Sequence, residues 1–552
     1  MKKPIGKLVS LGLMLLLLSV SISGCGQNWA SGTVQISITD SPGLEFDHIW
    51  ITVKEVWFHA SDASGPHEAG WLKFPLSEPV TIDLAALTNG ELAEVFDNLT
   101  LPVGHYQQIR LFLASTEDEL TASAADLGLL YNNQVEFTDP DDGVRDVPLR
   151  LPGPGHGLKL IGTFRVTVAE TLRLVIDFDA GHDIVKHLRG THPEFILKPR
   201  LRYFDLDNAG AIAGEINTDI FKSDSNPDGG YNFVIKAEEL SEDGTHHTVA
   251  RATTVKADGT FLLYPLPVPA DSSTKNYDIV LRGRNVETSI IKDVPVTKGT
   301  TPTSGPTGLT ASPITMVPGS EYTVNLDEAI DPTGSWIHFY QTLPGEGEAP
   351  YEIRFRHVNP FTGKFIDDID LSSGELHAGN YNNGDDISFT AVHAVDGSGS
   401  FSAAAEAFLY ERSVSVLATP PGSGTGTVYI NFPPLTVKPP AAGNEISGRL
   451  NIPSSLSGEL DKGFIIVSIG GRIVTTLSID TILEGNGGDY TVPNLPGGTE
   501  TTPLKGAFYT LYALGWDSAR PLTFLAAAIP KIADLRTGSD THVDMTMVKV
   551  RP

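Results

Sequence analysis

Thr33-Val34-Gln35-Ile36-Ser37-Ile38-Thr39 reads as a half-buried β-strand, and most of the chain repeats its pattern. Polar and apolar residues alternate, so Val34, Ile36 and Ile38 fall on one face, as in a strand with one side in a core. The alternation returns in Ile49, Ile51 and Val53, in Ile109, Leu111 and Leu113, and in Leu172, Leu174, Ile176 and Phe178. Gly and Pro supply 55 and 38 of the 552 residues and are spread along the whole chain, the punctuation that turn-rich β structure needs. The expected fold is therefore all-β, a tandem array of β-sandwiches, with one or two short helices in the first domain. The best helical candidate is Leu84 to Phe96, with Leu84, Leu87, Leu92, Val95 and Phe96 as its apolar side. Asn89-Gly90 splits it, so two short helical turns fit as well as one helix.

The N-terminus carries a different signal. Lys2, Lys3 and Lys7 form a basic patch, Leu8 to Ile22 is almost unbroken apolar sequence, and Ser23-Gly24 leads into Cys25, the chain's one cysteine. This is the layout of a secretory signal, too short for a typical spanning helix of ~20 residues. Ile22-Ser23-Gly24-Cys25 resembles a bacterial lipobox. The resemblance implies cleavage after residue 24, acylation of Cys25 (the palmitate-type lipid of a lipoprotein) and a membrane partner reached through that lipid. Gly26 in place of an aspartate implies the outer membrane of a bacterial cell envelope, on its surface or facing the periplasm.

Loss of residues 1–24 removes three lysines and no acids, taking the formal charge from −28 to −31. Such acidity argues against nucleic acid and against direct adsorption to anionic lipid, which both call for basic patches. With its single cysteine committed, the exported chain has no disulfide available, so packing must stabilise it.

Residues 25–32 read as a tether and 33–207 as a first domain. Within that domain Ile38-Thr39-Asp40-Ser41-Pro42-Gly43, Val53-Lys54-Glu55-Val56, Gly70-Trp71, Leu101 to Leu111, Leu174 to Ala180 and Leu197-Lys198-Pro199 occur in an order that resembles the DUF4382 family of bacterial lipoprotein domains. The resemblance implies a secreted β-rich domain and brings no established activity.

Two later segments, 210–299 and 445–552, look like copies of one module. Ala211-Ile212-Ala213-Gly214-Glu215-Ile216 matches Glu445-Ile446-Ser447-Gly448-Arg449-Leu450, and Asp258 to Pro267 aligns without gaps to Gly487 to Pro496. The arrangement resembles carboxypeptidase-regulatory or prealbumin-like β-sandwiches, a carbohydrate-binding-like fold common as spacers in surface proteins. Between them, 300–315 reads as a Thr/Pro/Ser/Gly linker, 316–438 as an immunoglobulin-like sandwich, and 439–444 as a second linker.

Asp177, Asp179 and His182 are the candidate metal set, since Asp177 and Asp179 project from one strand face beside Arg173 and such pairs hold cations or exchange protons. Arg173 neutralising them is the competing structural account. His187 and His192 follow at a spacing that puts no pair on one helical face, so with Asp183 and Glu194 they fit solvated loops better than zinc. No cofactor is expected beyond a structural calcium in an acidic turn. Three such turns are Asp139-Pro140-Asp141-Asp142-Gly143, Asp205 with Asp207, and Asp224-Ser225-Asn226 with Asp228-Gly229. Trp50, Trp57, Trp71, Trp336 and Trp516 are either core packing or a sugar-stacking platform. No catalytic serine, cysteine or phosphate-binding motif is present. The expectation is a non-catalytic, lipid-anchored envelope protein, adhesive, matrix-forming or scaffolding, its first domain near the membrane and three sandwiches extending as a stalk. The alternatives are a lipoprotein that captures surface polysaccharide and a metal-dependent hydrolase at Asp177/Asp179/His182.

Overall fold

The computed structural model describes residues 30–549 with interruptions, the longer ones at 62–68, 223–232, 301–307, 393–400, 417–426, 437–443 and 496–507. Cys25 and its leader, two of the three acidic turns (140–142 and 223–232), and the side chains of His187 and His192 lie outside the described residues. What is described is a succession of β-sheets with a few short helices.

The first domain is a two-layer sandwich. One layer is a four-stranded sheet in which Ser31–Ser41 lies between Thr171–Asp179, parallel, and Ala93–Pro102, antiparallel. Its register sets Val34 beside Leu172, Ile36 beside Leu174 and Ile38 beside Ile176. The other layer is an eight-stranded sheet built around His48–His59 and Gly104–Leu113. Val34, Ile36, Ile38, Ile49, Ile51, Val53, Ile109 and Leu111 are all fully buried in one core, each such side chain stabilising the fold by about 1.5–3 kcal/mol.

The helical candidate Leu84 to Phe96, expected as one helix or two short turns, keeps only the first turn. Only Leu84–Ala86 forms a single 3-10 turn, started by the Asp83 carboxylate accepting from Ala85 N–H at 3.1 Å. Asn89 (φ 54°) and Gly90 (φ 82°) then adopt left-handed backbone, and Ala93–Pro102 continues as a strand. The short helices of this domain are Ala122–Asp126 and Ala180–Asp183.

The two repeat segments share a constructional device. In the first, Ala209–Ile216 pairs antiparallel with Thr260–Pro267, placing Gly214 opposite Phe261; in the second, Asn444–Asn451 pairs with Asp489–Leu495, placing Gly448 opposite Tyr490. A Cβ on Gly214 would sit 2.2 Å from the Phe261 ring, and one on Gly448 would sit 1.9 Å from the Val543 carbonyl oxygen. The glycine is needed because an aromatic ring or a backbone occupies the space over it. The turns also match: Gly259 (φ 89°) and Gly488 (φ 104°) accept the same hydrogen bond at 2.8 Å, from Ile216 N–H and Leu450 N–H.

Two boundaries differ from expectation. The first strand begins at Ser31, inside the stretch read as tether. Of the stretch read as linker, Gly308–Ile314 is a strand that pairs parallel with Ala209–Ile216, with Leu309, Ile314 and Met316 buried in that module's core. Apolar residues two to five positions apart outweighed the Thr/Pro/Ser/Gly composition around them. The third segment also reaches back: Leu376–Asn380 pairs parallel with Ser289–Thr297 and extends the module's larger sheet, followed by Thr390–Val392. A single buried apolar cluster then runs through the third and fourth segments, from Tyr322 and Phe339 to Tyr509 and Met547.

Candidate functional site

The polar end of the opening strand is where the domains meet. Thr39, Asp40 and Ser41 are buried although their pattern leaves the core, because Arg251 of the second segment enters there. Its guanidinium, 2% exposed, pairs with Asp177 and donates to Thr39 Oγ1 at 2.5 Å and to the Asp40 carbonyl at 2.6 Å. Arg202 closes the other side of Asp177 at 3.1 Å and also donates to the Ala250 carbonyl. The Asn89-Gly90 turn docks on the same module: Asn89 N–H donates to Thr253 Oγ1 at 3.0 Å, and its side-chain oxygen accepts from Leu262 N–H at 3.1 Å. That contact explains the left-handed turn in place of a helix. Burial pushes the Asp40 carboxyl well above its ordinary range, against one hydrogen bond from Ala180 N–H at 2.8 Å.

A second buried group of charges joins three segments. Glu352, on Tyr351–His357 of the third segment, accepts from Lys236 Nζ at 2.7 Å and lies 2.7 Å from His338 Nδ1 and 3.6 Å from His182 Nε2. His182 comes from the first domain and Lys236 from Phe233–Leu240 of the second. Side-chain exposures of 4%, 11% and 16% for Glu352, His338 and His182 put the group out of bulk water. Burial alone would raise the Glu352 carboxyl, but Lys236, His338 and His182 hold it well below the usual range. Burial would likewise depress His182, yet Asp179 and Glu352 reverse this and take it up to about 9. Asp179 Oδ2 lies 2.7 Å from His182 Nδ1, close in distance but off the line of a full hydrogen bond. Glu238 is fully buried, and burial pushes its carboxyl well above its ordinary range. One Glu238 oxygen accepts from Glu352 N–H at 2.9 Å and Oε1 has no hydrogen-bond partner among the described residues. Around this centre His357 Nε2 donates to the His182 carbonyl at 2.6 Å, His247 stacks on Tyr351 at 3.9 Å, and Tyr351 O–H donates to Asp278 at 2.7 Å.

The candidate metal set is thus divided. Asp179 and His182 are brought together, whereas Asp177 is committed to Arg251 and Arg202. Arg173, read as their neutraliser, pairs instead with Asp207. Asp205 caps a 3-10 turn by accepting from Asp207 N–H at 3.0 Å, a structural task for that acidic turn. Asp183 is buried and accepts from Asp179 N–H, and Glu194 faces Arg150 at 3.5 Å. Sequence reasoning missed His338, Glu352, Lys236, Glu238 and Arg251. Each sits within a strand, and an ionisable side chain at an inward position was the available signal. The first and third segments are in direct contact here.

The tryptophans are mostly packed. Trp57 has Phe112 at 4.1 Å and Lys73 Nζ at 3.6 Å from its ring centre, and Trp71 lies 4.9 Å from His59. Trp50 is half-buried and stacks on His48, and Trp516 lies 5.6 Å from Phe464.

Residues 31–199 match a family described as "Domain of unknown function (DUF4382)". The match covers the first domain and stops before the repeat modules. No curated protein matches the chain. Among solved structures, it is similar to two B repeat units of the collagen-binding protein of Staphylococcus aureus at 9% identity, covering 94% of this chain and 99% of that one, with a TM-score of 0.14. It is similar to the shaft pilin SpaA from Lactobacillus rhamnosus GG at 10% identity, 42% and 99% coverage and a TM-score of 0.17. For BcpA, the major pilin subunit of Bacillus cereus, the values are 9%, 62%, 100% and 0.13. Scores this low do not establish a shared overall architecture.

Proposed function

We propose that this is a lipid-anchored, non-catalytic protein of the bacterial cell envelope that acts as a rigid platform, holding an adhesive or scaffolding surface at the outer membrane. The observation that carries the reading is the fate of the buried charges. Arg251 pairs with Asp177 and Lys236 with Glu352 across segment boundaries, which supports a structural task, the orienting of one domain on another. The leader and Cys25 supply the address, and the acidic surface suits a solvated exterior. The partner is an envelope protein or a surface polysaccharide.

The test compares cells carrying the wild-type chain, a deletion and Cys25→Ser. Loss of attachment or envelope integrity on deletion, with the soluble Cys25→Ser protein failing to restore it, supports a tethered platform. Full function from the released protein, or no phenotype on deletion, breaks the reading. Polysaccharide capture has one observation in its favour, the half-buried Trp57, Trp71 and His59 group beside Lys73 on one sheet face. Trp71→Ala should then weaken retention on immobilised envelope glycan, and equal retention would remove this alternative.

A further inference from the structure

The junction of the first, second and third segments has the composition of a transition-metal centre. His182, His338 and Glu352 each offer one ligand atom, and the three atoms lie within 4.8 Å of one another. Two imidazoles and a carboxylate form an N/O set suited to zinc, and a modest contraction would bring them to the ~2.0–2.2 Å that zinc takes from such ligands. His338 and Glu352 sit on paired strands of the third segment and His182 comes from the first domain, so the set is complete only when those two are docked.

Two further observations point to an ion. Asp179 stands 2.7 Å behind His182 Nδ1, which leaves Nε2 to face Glu352; a carboxylate behind a histidine is the outer-shell arrangement that orients a metal ligand. Behind the other histidine, Glu406 Oε2 is 3.9 Å from His338 Nε2. The second is Glu238. The ammonium of Lys236 occupies one Glu352 oxygen at 2.7 Å, where an incoming dication would meet it. Two residues along the same strand, on the same face, Glu238 Oε1 is buried without a hydrogen-bond partner among the described residues. It gives the displaced ammonium a buried oxygen to donate to.

We propose that His182, His338 and Glu352 bind one zinc ion at this three-segment junction, with Asp179 positioning His182 and Lys236 moving to Glu238 as the ion enters. The ion would serve as a clasp between the first and third segments.

The experiment uses the full chain, stripped with chelator and titrated with zinc chloride by calorimetry, with metal content measured after desalting. Cobalt(II) replaces zinc for visible spectroscopy. The expected result is one zinc per chain, a low-coordination cobalt spectrum and a raised unfolding temperature. His182→Gln and His338→Gln, which keep a hydrogen-bonding side chain, should each weaken zinc at least tenfold with unchanged circular dichroism. Lys236→Met, which removes the competing cation, should bind zinc at least as tightly as wild type. Failure of both the wild type and Lys236→Met to bind at micromolar zinc overturns the proposal. So does binding that survives in both histidine variants, since it places the ion elsewhere.

Discussion

The second and fourth segments are built on one plan, and the second adds buried ion pairs to its contacts with its neighbours. Both set a glycine against an aromatic residue on the paired strand and close the turn with a left-handed glycine. The second is then held to its neighbours by buried ions and hydrogen bonds, through Arg251 and Lys236. The fourth shares one buried apolar cluster with the third, a cluster that also takes in Val280 and Ile290 of the second. The internal device and the docking chemistry are thus independent. A repeat fixes how a module closes on itself, while a few charges at non-repeated positions decide what it can be joined to. Ionic docking also demands alignment, because an unpaired buried charge costs far more than a misfitted methyl group.

The sharpest way to break this contrast is Arg251→Met. It leaves Asp177 buried with Arg202 as its one remaining ion partner among the described residues and should cost about 3–5 kcal/mol in denaturant unfolding, as removal of one member of a buried pair does. Adding Asp177→Leu should return most of that loss; if it returns none, the pair is not what joins the segments. Next come Gly214→Ala and Gly448→Ala, each expected to destabilise by about 1–3 kcal/mol through overpacking. Gly448→Ala should be the worse of the two, since its obstacle is a backbone carbonyl and not a ring that can tilt. Thermal scans in which only one of the two matters would dissolve the shared plan.

Asn89→Ala removes the acceptor for Leu262 N–H and should cost about 1–2 kcal/mol, read as earlier loss of protection in hydrogen exchange at the first–second contact than at the third–fourth. The smallest effect is His48, whose pKa is raised chiefly by its hydrogen bond to Asp83 at 2.6 Å. Its stabilisation is fully present below the unfolded-state value near 6.5 and is lost as pH rises through the higher folded value. With 44% of its side chain exposed, solvent screening limits the effect to roughly half a kcal/mol or less. A His48→Gln variant should flatten that limb of the stability–pH curve, and an NMR titration at or below the ordinary histidine value would contradict it.

Much of the architecture was legible because it is local. Alternation over Thr33–Thr39 located buried Val34, Ile36 and Ile38, and the repeat of Gly214 and Phe261 in Gly448 and Tyr490 located a shared antiparallel strand pair. Leu84–Phe96 misled because its apolar spacing suits either period, and the left-handed Asn89-Gly90 turn is chosen by a partner 173 residues away, Leu262. The charged centre was out of reach for the same reason. Asp177, Asp179 and His182 are neighbours in sequence, but the residues that decide their roles are Arg251, His338 and Glu352, and no spacing rule connects them. A lysine or glutamate at an inward position of Phe233–Leu240 or Tyr351–His357 was the legible trace, and it says that a partner exists without naming it.

The pairing of Leu376–Asn380 with Ser289–Thr297 has a practical side. Anyone dividing this chain at residue 300 to obtain the second module alone would strip it of both Gly308–Ile314 and the strand lent by the third segment. The excised piece would display the bare edge of Ser289–Thr297, a row of unpaired backbone donors and acceptors ready to recruit another copy. Aggregation of such a fragment would report a cut made through a sheet.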